Sequence, residues 1–401
     1  MTDSQITEPE FCPNTACPFH DRQIAAVSPW YTRFGTFFTR ARGEIQRFRC
    51  TGCGTTCSTQ TFSVHYWTHS TTDLSWLLSQ LYTCSGMRQS GRVAAVTHRV
   101  IGNRYRRLAR NALAVMDAAL EGLKLREHVA MDGFESFTES QYHPNNITHL
   151  CGCSSQFVYA AIHTLFRRKG RMTAEQKRRQ AAIDLAWKPS TSITAECAEL
   201  LDDLGPLIDE ACETRSFPLE LRSDEHRAYP PAIKSVAELR ERLREGSLVH
   251  RTTSSKDART TDNPLFAVNY VDRQLRSSLA EHVRETTRHG REVNSQMERF
   301  SIFMVLHNFL TPHRITGHAR TDGAITHANV AGATDEHVTR MLERLTTHRH
   351  VYTHLRSSQS WIRRIWLHLH ENPPVVKIKK GEVKVREACL GPAALPRYLL
   401  A

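Results

Sequence analysis

Three aspartates stand where a carboxylate does chemistry if it has company. In "EHVAMDGFESF" a short apolar run ends in Asp132, followed at once by a glycine. In "FPLELRSDEHRAYPP" a short strand over Pro218 to Leu221 is expected, with Asp224 just past it. In "NPLFAVNYVDRQLRSSLAEHVRET" Asp272 is expected near the start of a helix, with Arg273 and Arg276 close behind. One such acid alone usually marks a strand reaching the surface. Three of them, from two strand ends and a helix packed on the same sheet, can converge into an oxygen-rich site for a hard divalent cation. Glu281, Glu285 and Glu298 rival Asp272 for the third place, and Glu225 and His226 are candidate helpers beside Asp224.

A second set of chemistry-bearing residues lies at the front. Cys12 and Cys17 are spaced C-x4-C in "CPNTAC", and Cys50 and Cys53 are spaced C-x2-C in "FRCTGCGTTC". Two close thiol pairs on tight knuckles can close a tetrahedron around zinc, and four protein ligands make such a site structural. Cys57 and His20 are spare donors that could replace one of the four. The arginine- and aromatic-rich segment between the pairs alternates around Phe37 to Phe48, as a hairpin would. Cys151 and Cys153 share one strand face and read as packing residues.

A third set is cationic. No acid occurs between Asp73 and Asp117, while Arg88, Arg92, Arg99, Arg104, Arg106, Arg107 and Arg110 crowd into that span. A helix over "TTDLSWLLSQLYTC", N-capped by Thr71 or Thr72, leads to a short helix, a break near Thr97 to Gly102, and a longer basic helix. Presented on such a helix, Asn103, Arg104 and Arg107 could enter a major groove while the other arginines bind phosphates.

The whole chain supports a polyanionic partner. Its 401 residues carry 53 Lys and Arg against 41 Asp and Glu, a net charge of +12. No signal peptide and no long apolar run is evident, so a cytoplasmic, non-membrane protein is expected. Five of the 11 cysteines fall in the first 57 residues, which favours metal over disulfides. No Gly-rich phosphate loop, no G-x-S-x-G and no internal repeat occurs.

The elements that must position the acids read as α/β. "REHVAMDG" and "THLCGCSSQFVYAAIHTLFRRKG" give strands, "TAECAELLDDLGPLIDEA" one helix, and "VNSQMERFSIFMVLHNFL" an apolar helix against the sheet. Strand–Asp, strand–Asp, then an acid within N-x-x-D-R-x-x-R resembles the catalytic domain of bacterial insertion-sequence transposases of the DDE/DDD type. The front module of zinc ribbon and helix-turn-helix is similar to one branch of that group. The resemblance covers residues 12 to 315 and departs at Asp272, where many members carry Glu.

That resemblance implies an RNase-H-like catalytic domain over 123–315, after a zinc ribbon over 1–66 and a helix-turn-helix over 67–122. It implies Asp132, Asp224 and Asp272 as ligands of two Mg²⁺ or Mn²⁺ ions, with Asp132 bridging. Such a pair, about 3.5–4 Å apart, clamps both oxygens of a phosphodiester displacement. Arg273 and Arg276 would contact the phosphates of double-stranded DNA, and coupled cleavage of two ends implies a homodimer or larger. The remaining 316–401 reads as accessory helices and a basic hairpin around Gly381. His348, His350, His354, His368 and His370 there read as surface residues. The rival readings are a transcriptional regulator built on the same front module, and a decayed transposase.

Overall fold

The computed structural model describes residues 8–69, 72–283, 286–313, 324–349, 359–379 and 382–386. At the front, α1 (Arg22–Ala26) precedes β1 (Tyr31–Thr39), β2 (Gly43–Cys50) and β3 (Thr56–Ser58), an antiparallel sheet in that order. The expected hairpin is β1–β2. A register shift between Arg33 and Thr36 bends β1, with Gly35 at φ +72° taking the left-handed conformation there. This unit has its own small core of Phe11, Trp30, Phe48 and Phe62 packed with the thiols.

Three helices follow: α2 (Leu74–Tyr82), α3 (Met87–Val93) and α4 (His98–Leu120). Asp73, rather than Thr71 or Thr72, caps α2, its carboxylate accepting from Trp76 N–H at 3.0 Å. The break between the basic helices falls at Ala94–Thr97, earlier than the sequence suggested. Val96 N–H donates to Gly91 O at 2.9 Å, and a Cβ on Gly91 would stand 2.8 Å from Val96 O. Only glycine fits that close turn.

The central sheet begins as an antiparallel meander of β4 (Val129–Phe137), β5 (Pro144–Gly152) and β6 (Val158–Leu165). After α5 (Ala174–Ala186), α6 (Ile193–Asp203) and α7 (Gly205–Thr214), β7 (Leu219–Asp224) pairs parallel with β4. The helices α8 (Tyr229–Ser235) and α9 (Ala237–Glu245) then lead to β8 (Leu248–Thr253), parallel to β7. The strand order is β6-β5-β4-β7-β8. The single helix expected over 194–211 is two, because Pro206 has no N–H to continue the ladder.

Helices cover both faces, so β5 and β6 are buried almost throughout. On one face, Cys197 of α6 reaches the Thr148 hydroxyl at 3.6 Å. On the other lie α10 (Phe266–Ser278) and α11 (Val293–Phe309). Asn308 of α11 exchanges two 2.9 Å bonds with the Val158 backbone. One continuous apolar core runs from Val64 to Trp366 and takes in α2, α4, the sheet, α13 (Asp335–Thr347) and α14 (Ser360–Trp366), with the short α12 (His327–Val330) adding Ala328. The last described element is the hairpin of β9 (Val375–Lys379) and β10 (Glu382–Arg386), as expected. Its turn, including Gly381, lies outside the described residues.

The loop before α3 grips the end of α10. Cys84 N–H donates to Ser278 O at 3.1 Å and the Cys84 thiol to Ser277 O at 2.9 Å, while Arg288 reaches Cys84 O. The histidine reading needs correction. His370 is buried, His368 pairs with Glu298, and His348 pairs with Glu10. His368 and His370 are thus packed inside, while His348 stays partly exposed in its pair with Glu10. His350 and His354 lie outside the described residues.

Candidate active site and metal centre

Asp132 is not at the end of its strand. It is the fourth residue of β4, which runs on to Phe137. Gly133 is no turn either. It sits where the Asn146 side chain would be 2.0 Å from a Cβ, so glycine makes room for a neighbouring side chain. What ends near Asp132 is the partner: β7 pairs with β4 at Val129 and Ala130 and terminates at Asp224. Extending that register by two residues sets Asp224 beside Asp132. The two carboxylates therefore arise from adjacent parallel strands at the point where one stops.

Asp272 comes from α10, and it is the seventh of 13 residues rather than near the start. Across the sheet, Asp132 is in register with His149 of β5. Paired residues share a face, and that face meets α10: His149 Nε2 is 3.8 Å from Asp272 Oδ1. Burial holds the imidazole neutral, its pKa down to about 4, so this approach is not an ion pair.

The electrostatics record the convergence. Burial pushes the Asp132 carboxyl up to about 6; the Gly133 N–H at 2.7 Å pulls it down, and the charge of Asp224 pushes it up again. Burial and the charge of Asp132 push Asp272 up to about 8, against the pull of Arg276 and Arg259. The Asp272 side chain is 19 % exposed, and its Oδ1 is buried without a hydrogen-bond partner. A carboxylate held in this way, with a second one beside it, fits a divalent cation, which would add to the countercharge of Arg259 and Arg276. The donor atoms of the three acids are not drawn into one tight cage. Among the described residues, the four front cysteines are the group of three or more metal-binding side chains whose donor atoms all lie within 4.8 Å of one another.

The rivals for the third place are engaged elsewhere. Glu281 is buried and bonded to Arg299 at 2.6 Å. Glu298 is buried between His368 and Arg106. Glu285 lies outside the described residues. Of the candidate helpers, Glu225 is exposed, and His226 is exposed with its N–H on Asp224 Oδ1 at 2.8 Å and its ring turned back to Ala228 N–H. Sequence reading missed His149, Arg259 and Tyr229, whose hydroxyl is 3.5 Å from Asp132 Oδ1. None of the three belongs to a local motif; only strand register and helix packing bring them in.

At the front, Cys12 and Cys53 thiols are 3.5 Å apart and Cys17 and Cys50 are 3.8 Å apart. A tetrahedron with Zn–S near 2.3 Å has edges of about 3.8 Å, so the four thiols fit zinc. The knuckle is shaped by Cys17 N–H on Asn14 O and Gly54 N–H on Cys50 O, both at 3.0 Å. The spare donors stand aside: Cys57 is buried in β3, its thiol pushed up to about 12 by burial, and His20 Nδ1 bonds the Cys12 carbonyl oxygen at 2.8 Å.

The arginines divide. Arg88, Arg92, Arg99 and Asn103 are exposed on α3 and the first turns of α4. Arg104 is only 5 % exposed, and burial lowers its pKa to about 10. The expectation that it reads bases is therefore corrected, since its side chain points into the protein. Arg107 donates to the Val64 and Tyr66 carbonyls at 2.9 and 2.7 Å, Arg110 to Arg106 O at 3.4 Å, and Arg106 faces Glu298 at 3.9 Å. On α10, Arg273 is exposed beside Tyr270, whereas Arg276 lies over the Phe134 ring at 4.6 Å.

No protein-family model matches the chain, and no curated protein is significantly similar to it. Among the described residues no helix is long and apolar enough to cross a membrane.

Proposed function

We propose that the chain is a DNA transposase with an RNase-H-like catalytic domain, cleaving element ends and joining them to target DNA. The observation that carries this reading is the convergence of Asp132, Asp224 and Asp272. They come from β4, β7 and α10, at the point where a parallel strand pair ends. Two adjacent strand acids and a helix acid are what the resemblance to DDE/DDD transposases requires.

In this reading the three carboxylates hold Mg²⁺ or Mn²⁺, and Cys12, Cys17, Cys50 and Cys53 hold zinc. Bound divalent ions supply activation of the attacking oxygen and stabilisation of the leaving oxygen. The protein supplies placement. Tyr229 and the Gly133 N–H orient the Asp132 carboxylate, and neutral His149 crowds Asp272 without taking its charge. Arg273 is exposed one residue from Asp272, where a DNA phosphate beside the site would meet it. Arg88, Arg92, Arg99 and Asn103 form the exposed basic edge for double-stranded DNA. The enzyme would work in the cytoplasm as a dimer or larger assembly, one copy for each end.

The test is cleavage of labelled DNA carrying the flanking ends of the gene, with Mg²⁺ or Mn²⁺. Wild type should nick at the ends, while Asp132→Asn and Asp224→Asn should bind them and not cut. Specific binding without cutting by wild type, with either ion, would replace the reading with a DNA-binding regulator.

A further inference from the structure

Beside the four-cysteine knuckle is a groove of about 730 Å³ that plays no part in holding metal. Arg40, Arg42 and Arg47 line it together with Phe37, Tyr66 and Trp67, and none of its lining residues is acidic. Trp67 is 83 % exposed. Its indole stacks on Tyr66, with ring centroids 6.0 Å apart and planes within 10°, and the Arg349 guanidinium lies 3.9 Å over Tyr66. The stack therefore ends in an indole open to solvent.

Two costs are unexplained by folding. A tryptophan left this exposed forgoes the stabilisation its burial would bring. It is also held at φ +53°, a left-handed backbone that bulky side chains rarely adopt. Strain of that kind persists where it serves a site. Phe37 of β1, 39 % exposed, adds a second open ring to the groove.

We propose that this groove binds an unpaired nucleic-acid strand, with a base stacked on Trp67 and the strand's phosphates on Arg40 and Arg47. Flat aromatic surface and cationic lining without acids match the two parts of a single strand, bases and phosphates. Duplex DNA offers only its phosphates, because its bases are already stacked on each other. The proposal rests on the nucleic-acid part of the function above. It adds that the front module holds strand ends in unpaired form.

The experiment is titration of the full chain with a fluorescent 15-mer of dT and with an abasic strand of the same length, which has the phosphates without the bases. Wild type should bind dT about tenfold more tightly than the abasic strand. Trp67→Ala should reduce dT binding to the abasic level, and Trp67→Phe should restore most of it. Arg40→Ala with Arg47→Ala should weaken both strands alike, and blunt duplex binding by Trp67→Ala should stay within about twofold of wild type. Zinc content and thermal unfolding of each variant report that the module is intact. Equal binding of dT by Trp67→Ala and wild type, or no preference of wild type for dT over the abasic strand, overturns the proposal. If that happens while wild type still cuts element ends, the groove falls and the cleavage reading stands. A chain that prefers dT through Trp67 but never cuts keeps the groove and loses the cleavage reading.

Discussion

The cysteine knuckle and the acid site are built on opposite plans. The knuckle draws its four donors from one loop and from the end of β2 with the turn that follows it, and its thiols stand at tetrahedral spacing already. The acid site draws its donors from two strands and a helix, and its carboxylates stay further apart, two of them burdened by burial and mutual repulsion. In the proposed reading, a closed site of soft ligands would stabilise a unit whose own core is little more than Phe11, Ala25, Trp30, Phe48 and Phe62 packed with the thiols. In the same reading, an open site of hard ligands would sit on the separate core of the central sheet and take up its cation together with substrate. On that reading the first metal would help make the fold and the second would use it.

The largest way to break that contrast is at the knuckle. Structural zinc in small domains supplies about 10–16 kcal/mol of folding energy. Cys50→Ser should lose the co-purifying zinc and open residues 8–62 to protease, while the sheet core stays resistant. Retained stoichiometric metal would show that the four thiols are not its ligands.

Next is the identity of the third acid. Glu281→Gln leaves Arg299 buried without its countercharge, at a cost of about 3 kcal/mol. The melting temperature should drop while cleavage per folded molecule is kept. Lost cleavage at an unchanged melting temperature would transfer the role of Asp272 to Glu281.

A smaller effect is set by pH. In the metal-free protein the folded Asp272 carboxyl, at about 8, holds its proton more tightly than an unfolded aspartate at about 3.9. The native state binds the extra proton across that window, so its stability falls as pH rises from about 4 to about 8. Asp272→Asn should flatten this component of the melting profile. Profiles that coincide for wild type and variant would mean that the acid site carries no such burden.

The smallest effect separates surface from buried arginine. Arg99→Ala should lower the salt slope of duplex binding by about 1 with the melting temperature unchanged. Arg104→Ala should do the reverse, lowering the melting temperature with the salt slope intact.

What could be read from the sequence follows the same division. Cys12, Cys17, Cys50 and Cys53 were legible because a knuckle needs its ligands a few residues apart. Asp132, Asp224 and Asp272 were singled out only from an order of elements, through a resemblance to a family pattern. Their true settings, mid-strand and mid-helix, depend on where β7 stops and how α10 lies, which no local spacing encodes. His149 had no signal, since its place opposite Asp132 is a matter of antiparallel register. Arg104 misled because charge is visible in a sequence and burial is not. It lies on the face of α4 that also buries Ile101, Tyr105 and Leu108. The strands β4 to β7 and the apolar helix α11 followed from apolar runs, β8 and α5 did not, and the division at Leu204 needed attention to Pro206.

The grip of Cys84 on the end of α10 has a mechanical consequence. From Asp272 to Ser278 is six residues of unbroken helix, about 9 Å. The loop that leads into the basic helices is thus fastened to the same rod that carries a catalytic candidate, with no hinge between them. If the front holds DNA as proposed, tension on it would arrive at Asp272 as a displacement, and a nudge at Asp272 would travel back to the front. Under the proposed function, holding an end and being ready to cut it would be one coordinate.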